Sequence, residues 1–242
     1  RTTEYLGDNA AKKIFIIGPP GFKVREFALQ VADHYKLTTV SVGDLLKKEV
    51  SKKQELGEEI ESYLRHFTMV RDDVVTKMVR KEVEAIQKDR KSFILSGYPR
   101  TRVQGLALQR EGLFPDAFII LNMPYHRVLH HCEEKFKSYE KNLDKAITAN
   151  RAVHIENHAR EYLLNVQQIK DIYPNNYFEI DCAAGSREDI LEDIARLLKF
   201  KINAQRPKRP AAILILGGKK EHRVAIAKKL ARRYGVVLAM AR

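Results

Sequence analysis

Nine residues, Gly18-Pro-Pro-Gly-Phe-Lys-Val-Arg-Glu26, sit between a short apolar run and an amphipathic stretch. Their types suit phosphate chemistry. Glycine permits positive φ, so successive backbone N–H groups can turn toward one anion. A complete loop of this kind reads GxxxxGK[ST], in which the lysine brings a mobile charge and the hydroxyl binds magnesium. Gly18 and Gly21 keep the first half. Lys23 then stands where the second glycine belongs, Val24 where the lysine belongs, and Glu26 where the hydroxyl residue belongs two positions on. A lysine held in left-handed backbone costs about 1–2 kcal/mol, so the loop is expected to take another shape. Glu26, in the first turn of a helix, is favourable for structural reasons alone. Lys23 and Arg25 are the residues placed to replace the missing lysine.

A second constellation, Ser96-Gly-Tyr-Pro-Arg-Thr-Arg-Val-Gln104, follows an apolar run, and a third, Ser41-Val-Gly-Asp-Leu-Leu-Lys47, lies earlier. The elements needed to position them can be read from periodicity. Short β-branched and aromatic runs at 14–17, 39–42, 92–95, 117–121 and 177–180 are expected to be buried parallel strands. Helical spacing recurs over 24–35, 45–50 (with Asp44 as its cap), 56–64, 72–87, 104–109, 128–136, 155–172 and 187–198. Strands alternating with helices imply right-handed crossovers and a parallel sheet covered on both faces.

Together the three constellations resemble the adenylate kinase family, which reads GxPGxGKGT, STGDxLR and DGFPRTxxQ at about these intervals. The likeness spans roughly residues 13–198. It implies an α/β fold of the P-loop NTPase type: a parallel five-stranded sheet with helices on both faces, a small helical monophosphate-binding insertion at about 43–72 and a short lid at about 134–152. It also implies ATP, ADP or AMP with magnesium as ligands. By the resemblance, Arg100 grips the phosphate of a monophosphate, Gln104 reads adenine, and Asp44 and Lys47 belong to the same side, Lys47 lacking the bidentate fork of the family's arginine. Val42 and Ser96 replace the family's threonine and aspartate. The lid arginines expected by spacing from Pro124 fall on His130 and Glu134, and a further one falls on His158, with Arg160 two positions on. Phosphoryl transfer depends on such cations, so no catalytic residue is assigned. The resemblance leaves three readings: a catalytically impaired domain used as a structural or binding module, a slow nucleoside-monophosphate kinase relying on Lys23 and Arg25, or an AMP sensor.

The chain of 242 residues has a net charge of +13, of which +12 falls in residues 199–242. That basic tail is either a solvated face or a surface for an acidic protein or nucleic-acid partner. Residues 1–12 read as a leader and 201–211 as a basic linker. From 212 to 242 the opening pattern returns: Ile213 to Gly217 matches Ile14 to Gly18, and Ile226, Ala227, Leu230, Ala231 and Tyr234 follow at the same offset. This predicts the start of a second repeat. The tandem arrangement resembles multi-domain adenylate kinase-like proteins of cilia and flagella, which implies a cytoplasmic or axonemal setting and a protein partner. No run is long enough to span a membrane. Cys132 and Cys182 make neither a disulfide framework nor a metal site, and adjacent His130, His131 and Cys132 point in different directions on a helix.

Overall fold

The computed structural model describes residues 11–174, 177–183, 185–203, 221–222 and 224–227. The chain divides into two units, Arg1–Asn203 and Ala204–Arg242. In the second unit the described residues 221–222 and 224–227 are helical. The leader up to residue 10, the linker from 204 and most of the expected second repeat lie outside the described residues, while 201–203, expected in the linker, belong to the helix Arg187–Asn203.

The first unit is built on β1 (Lys13–Ile17), β2 (Thr38–Ser41), β3 (Phe93–Ser96), β4 (Ala117–Asn122) and β5 (Tyr177–Asp181). They form one sheet in the order β2-β3-β1-β4-β5, every pair parallel. Both faces of the central strands are apolar, so each is covered. Phe15, Ile17, Phe93, Leu95, Phe118 and Ile120 face one way. They pack against α2 (Val42–Ser51), α4 (Asp72–Lys88), α5 (Arg102–Arg110) and α8 (Arg151–Ile172). Ile14, Ile16, Ile94, Ile119 and Leu121 face α1 (Val24–Tyr35) and α9 (Arg187–Asn203).

The insertion expected at 43–72 contains α2 and α3 (Glu55–Arg65), and the lid region contains the end of α6 (Tyr125–Tyr139), a 3₁₀ turn at Glu140–Asn142 and α7 (Lys145–Ala149). A third apolar cluster joins the two: Phe67, just past α3, packs with Val128, Cys132, Phe136, Ile147 and Ala159. Phe67 takes φ 54° to reach it, and its ring meets Phe136 edge-on at 5.0 Å.

One local expectation is corrected. Asp44 does not cap α2. The strand stops a residue early, Ser41 is the cap, and its hydroxyl accepts from the Asp44 N–H at 3.4 Å. Asp44 lies in the first turn instead, where its charge suits the helix dipole.

The chain order 1-3-2 on one side of β1 and 1-4-5 on the other reverses direction at β1. Ligands of open α/β sheets gather at such a switch point, outside the carboxyl ends of the strands. All three motifs emerge there: the loop 18–23 after β1, Val42 after β2, and Gly97–Thr101 after β3.

Candidate functional site

The loop after β1 keeps its shape without left-handed lysine. Lys23 has φ −76° and ψ 51°, and of the loop residues only Gly21 has positive φ, at 81°. The loop also uses its own donors. The Phe22 N–H donates to Pro19 O at 3.1 Å and the Val24 N–H to Phe22 O at 2.7 Å. These are amides that a complete phosphate loop turns toward its anion. Gly21 lies directly under α6: a methyl group built there would be 1.9 Å from the carbonyl oxygen of His131. Phe22 fills the remaining space, stacked on Phe27 at 5.4 Å and edge-on to His131 at 5.2 Å.

Each charge near the loop has a partner elsewhere. Lys23 pairs with Glu26 at 3.4 Å and is largely exposed. Glu26 also takes the Arg187 guanidinium at the start of α9, whose hydrogen bond is the main reason its carboxyl sits below the usual range. Arg187 lies over Phe27 at 5.2 Å, so Glu26 ties α1 to α9. Arg25 is bound to Asp44, which joins the loop region to α2 and occupies both candidates at once. Between Gly18, Pro20, Arg100, His158 and Tyr162 remains a cavity of about 20 Å³, enough for about one water.

These residues do not fit a magnesium ion. The hydroxyl position holds Glu26, committed to two cations, and the family's aspartate position holds Ser96, 4% exposed. Among the described residues no three His, Cys, Asp or Glu side chains group as a metal site.

The other side of the crevice is open. A groove of about 190 Å³ is lined by Val42, Gly43, Met69, Arg100, Gln104 and Lys135, with Tyr139 and His158 beside them. Arg100 is set by its own loop: Gly97, at φ 75°, turns its carbonyl to accept from Arg100 Nε at 3.0 Å. Gln104 is 3% exposed. Its Oε1 accepts from the Arg100 N–H at 2.7 Å and its Nε2 donates to Asp72 at 2.8 Å. Asp72 in turn accepts from Thr101 Oγ1 at 3.0 Å, and Thr101 caps α5. Gln104 thus holds Arg100 and α4 together, and its amide keeps one more N–H than Asp72 uses. Removing that amide leaves the part-buried Arg100 N–H and one Asp72 lone pair unmet. Gln104→Leu is therefore expected to lose about 1–3 kcal/mol, read as a lower urea midpoint with an unchanged slope.

Of the remaining expected positions, Lys47 is exposed on α2, His130 is exposed, and Glu134 pairs with Lys137 at 2.9 Å. Arg160 pairs with Glu156 at 2.7 Å on the outer side of α8. His158, by contrast, is 6% exposed. Its Nε2 lies 3.0 Å from Lys135 Nζ, and Lys135 also sits 5.3 Å over the Phe67 ring. Lys135 was not singled out by spacing, yet it is the α6 cation that reaches the groove. It follows His131 by one helical turn, a register visible in the sequence.

The fold, the switch-point crevice and the three motif loops define an α/β nucleotide-kinase architecture. The family model described as "Adenylate kinase" matches residues 16–203, and the chain belongs to that family. It is similar to the adenylate kinase of Thermococcus onnurineus (strain NA1), 38% identical over 96 residues, covering 40% of this chain and 42% of that protein. The adenylate kinase of Pyrococcus furiosus (strain ATCC 43587 / DSM 3638 / JCM 8422 / Vc1) is 36% identical over the same length and shares. That of Mesomycoplasma hyopneumoniae (strain 7448) is 30% identical over 140 residues, 55% of this chain and 66% of that protein. The chain spans about two fifths of the length of the archaeal relatives it matches.

Proposed function

We propose that this domain binds a nucleoside monophosphate and is impaired in phosphoryl transfer, serving as a binding module. The observation that carries the reading is the asymmetry of the crevice. On the triphosphate side the loop donors close on loop carbonyls, α6 rests on Gly21, and both nearby cations are bound to carboxylates. On the monophosphate side Arg100 and Gln104 border an open groove.

Melting experiments test this. A ligand that binds only the folded state at a hundred times its dissociation constant adds about 2.7 kcal/mol. Millimolar AMP is expected to raise the melting temperature by several degrees, ATP with Mg²⁺ to leave it unchanged, and Arg100→Met to remove the AMP effect. Equal shifts from ATP and AMP would count against the reading.

The module is further proposed to sit in a multi-domain protein, possessing a second repeat from 212 and using the basic tail 199–242 toward an acidic partner. Recurrence of the Ile213–Gly217 pattern and the concentration of charge support this. A ciliary or axonemal setting rests on the resemblance of that tandem arrangement. No helix among the described residues is long and apolar enough to cross a membrane.

A further inference from the structure

Three consecutive residues at the end of α3 hold the lid region. The helix closes with two bonds that turn the chain back on itself, from the Phe67 N–H to Leu64 O at 3.1 Å and from the Thr68 N–H to Tyr63 O at 3.0 Å. This turn needs one left-handed residue, a place that glycine usually fills. Phe67 fills it here, at φ 54°, although a side chain strains that backbone. Such strain persists where the surrounding contacts over-determine it, and the ring supplies those contacts. Phe67 is 7% exposed, with its ring 5.0 Å from Phe136 on α6 and 4.8 Å from His158 on α8.

The two residues before Phe67 grip the far end of the lid. Asp144 is the cap position of α7, where an aspartate ordinarily accepts from the N–H groups of its own first turn. Its carboxylate makes no such bond and is turned to α3 instead. Oδ1 accepts from Arg65 Nη2 at 3.2 Å and Nε at 3.3 Å, and Oδ2 lies 3.3 Å from His66 Nε2. The Asp144 N–H donates to Arg65 O at 3.2 Å. An aspartate that gives up its local cap and a ring that accepts left-handed backbone serve the same junction. Partly exposed ion pairs are weak one by one, but here main-chain bond, ion pairs and ring contacts break together when the two segments part.

We propose that Arg65, His66 and Phe67 form a latch that fastens the helical insertion to the lid in the ligand-free protein, so that the groove between them is held narrow and widens only when the latch parts. One wall of the groove carries Leu64 and Thr68 of the insertion, the other Tyr139 at the end of α6. The groove reaches solvent, but its volume of about 190 Å³ is below the roughly 300–1,000 Å³ of small-molecule sites. A nucleotide therefore needs the walls to separate. The latch itself is independent of what the groove binds; its part as a gate rests on the monophosphate reading.

Native-state hydrogen exchange of the whole chain, free of nucleotide, tests the latch. Amides of 63–68 and of 144–149 should show matching protection, as members of one cooperative opening. Asp144→Ser removes the ion pairs and leaves a residue able to cap α7. It is expected to lower the protection of both segments together, about three- to tenfold, with β1 and β3 unchanged. Phe67→Gly, which relieves the left-handed backbone, should release both segments further. Independent exchange of the two segments in the parent, or an effect of Asp144→Ser confined to α7, would refute the latch. Stopped-flow mixing with AMP tests the gate. Chains without the latch are open more often, so Asp144→Ser should associate with AMP faster by about the factor lost in protection, an acceleration that a merely structural role would not produce. Unchanged association beside a joint loss of protection would keep the latch and overturn the gate. A parent chain that binds no AMP at millimolar concentration would remove the monophosphate reading and the gate with it, while the exchange data still decide the latch.

Discussion

Mixed with ATP, AMP and Mg²⁺ in a coupled assay, this chain is expected to form ADP more slowly than about 10⁻² s⁻¹, against about 1–100 s⁻¹ for kinases generally. The expectation follows from what has to stabilise the moving phosphoryl group. Transfer relies on cations and backbone donors aimed at the charge as it spreads. Here the Phe22 and Val24 amides are bonded within the loop, and by the resemblance valine stands at the lysine position and Glu134 and His158 where arginines would supply charge. The space between Gly18 and Arg100 is a cavity of about 20 Å³, enough for about one water. Loss of a single transition-state arginine can cost about 10³–10⁵ in rate. Turnover above about 1 s⁻¹ would contradict the account. It would also require Lys23 or Arg25 to leave Glu26 or Asp44 on nucleotide binding, which Lys23→Ala and Arg25→Ala would then expose as large losses of rate.

The second large effect is on folding. Gly21→Ala should destabilise the domain by about 2–5 kcal/mol, from about 1–2 kcal/mol for left-handed backbone and about 1–3 kcal/mol for overpacking against main chain. For a domain of this size that is a drop in melting temperature of roughly 10 °C. The methyl group would stand 1.9 Å from His131 O, and helical backbone cannot yield as a flexible side chain can. Gly112 is the internal control. It also has positive φ, at 71°, but nothing lies within 4 Å of its built Cβ, so Gly112→Ala should show the conformational part alone. Equal melting of the Gly21 and Gly112 variants would show that α6 does not rest on the loop.

Much of the sheet was legible because its strands are short, β-branched and buried on both faces, a pattern that reads the same in any context. Arg100 and the loop glycines were legible for a different reason: a fixed spacing after a strand places them whatever the surroundings. Several helices run longer than their apolar repeats, as does α6, which starts at Tyr125 rather than 128; exposed polar turns carry no periodicity. Lys135 was obscured because counting from Pro124 selects His130 and Glu134. Which α6 residues face inward is settled by packing, with Val128, Cys132 and Phe136 in the core and Lys135 beside them. The structural role of Gln104, holding Arg100 to α4, is hidden from spacing, since Asp72 lies 32 positions away. The pairing of Arg25 with Asp44 is likewise hidden, since the two belong to different motifs 19 positions apart.

The central claim is that one half of a two-nucleotide crevice survives. It is tested most directly by calorimetry with a bisubstrate ligand, two adenosines joined by five phosphates, compared with AMP alone on the same protein. Where both halves bind, linking them turns the second contact into an intramolecular one and tightens binding about 10²–10⁴-fold. The account predicts an affinity within about tenfold of AMP, with a dependence on Arg100 and none on Lys23. A bisubstrate affinity a thousandfold above that of AMP, lost on Lys23→Ala, would contradict it.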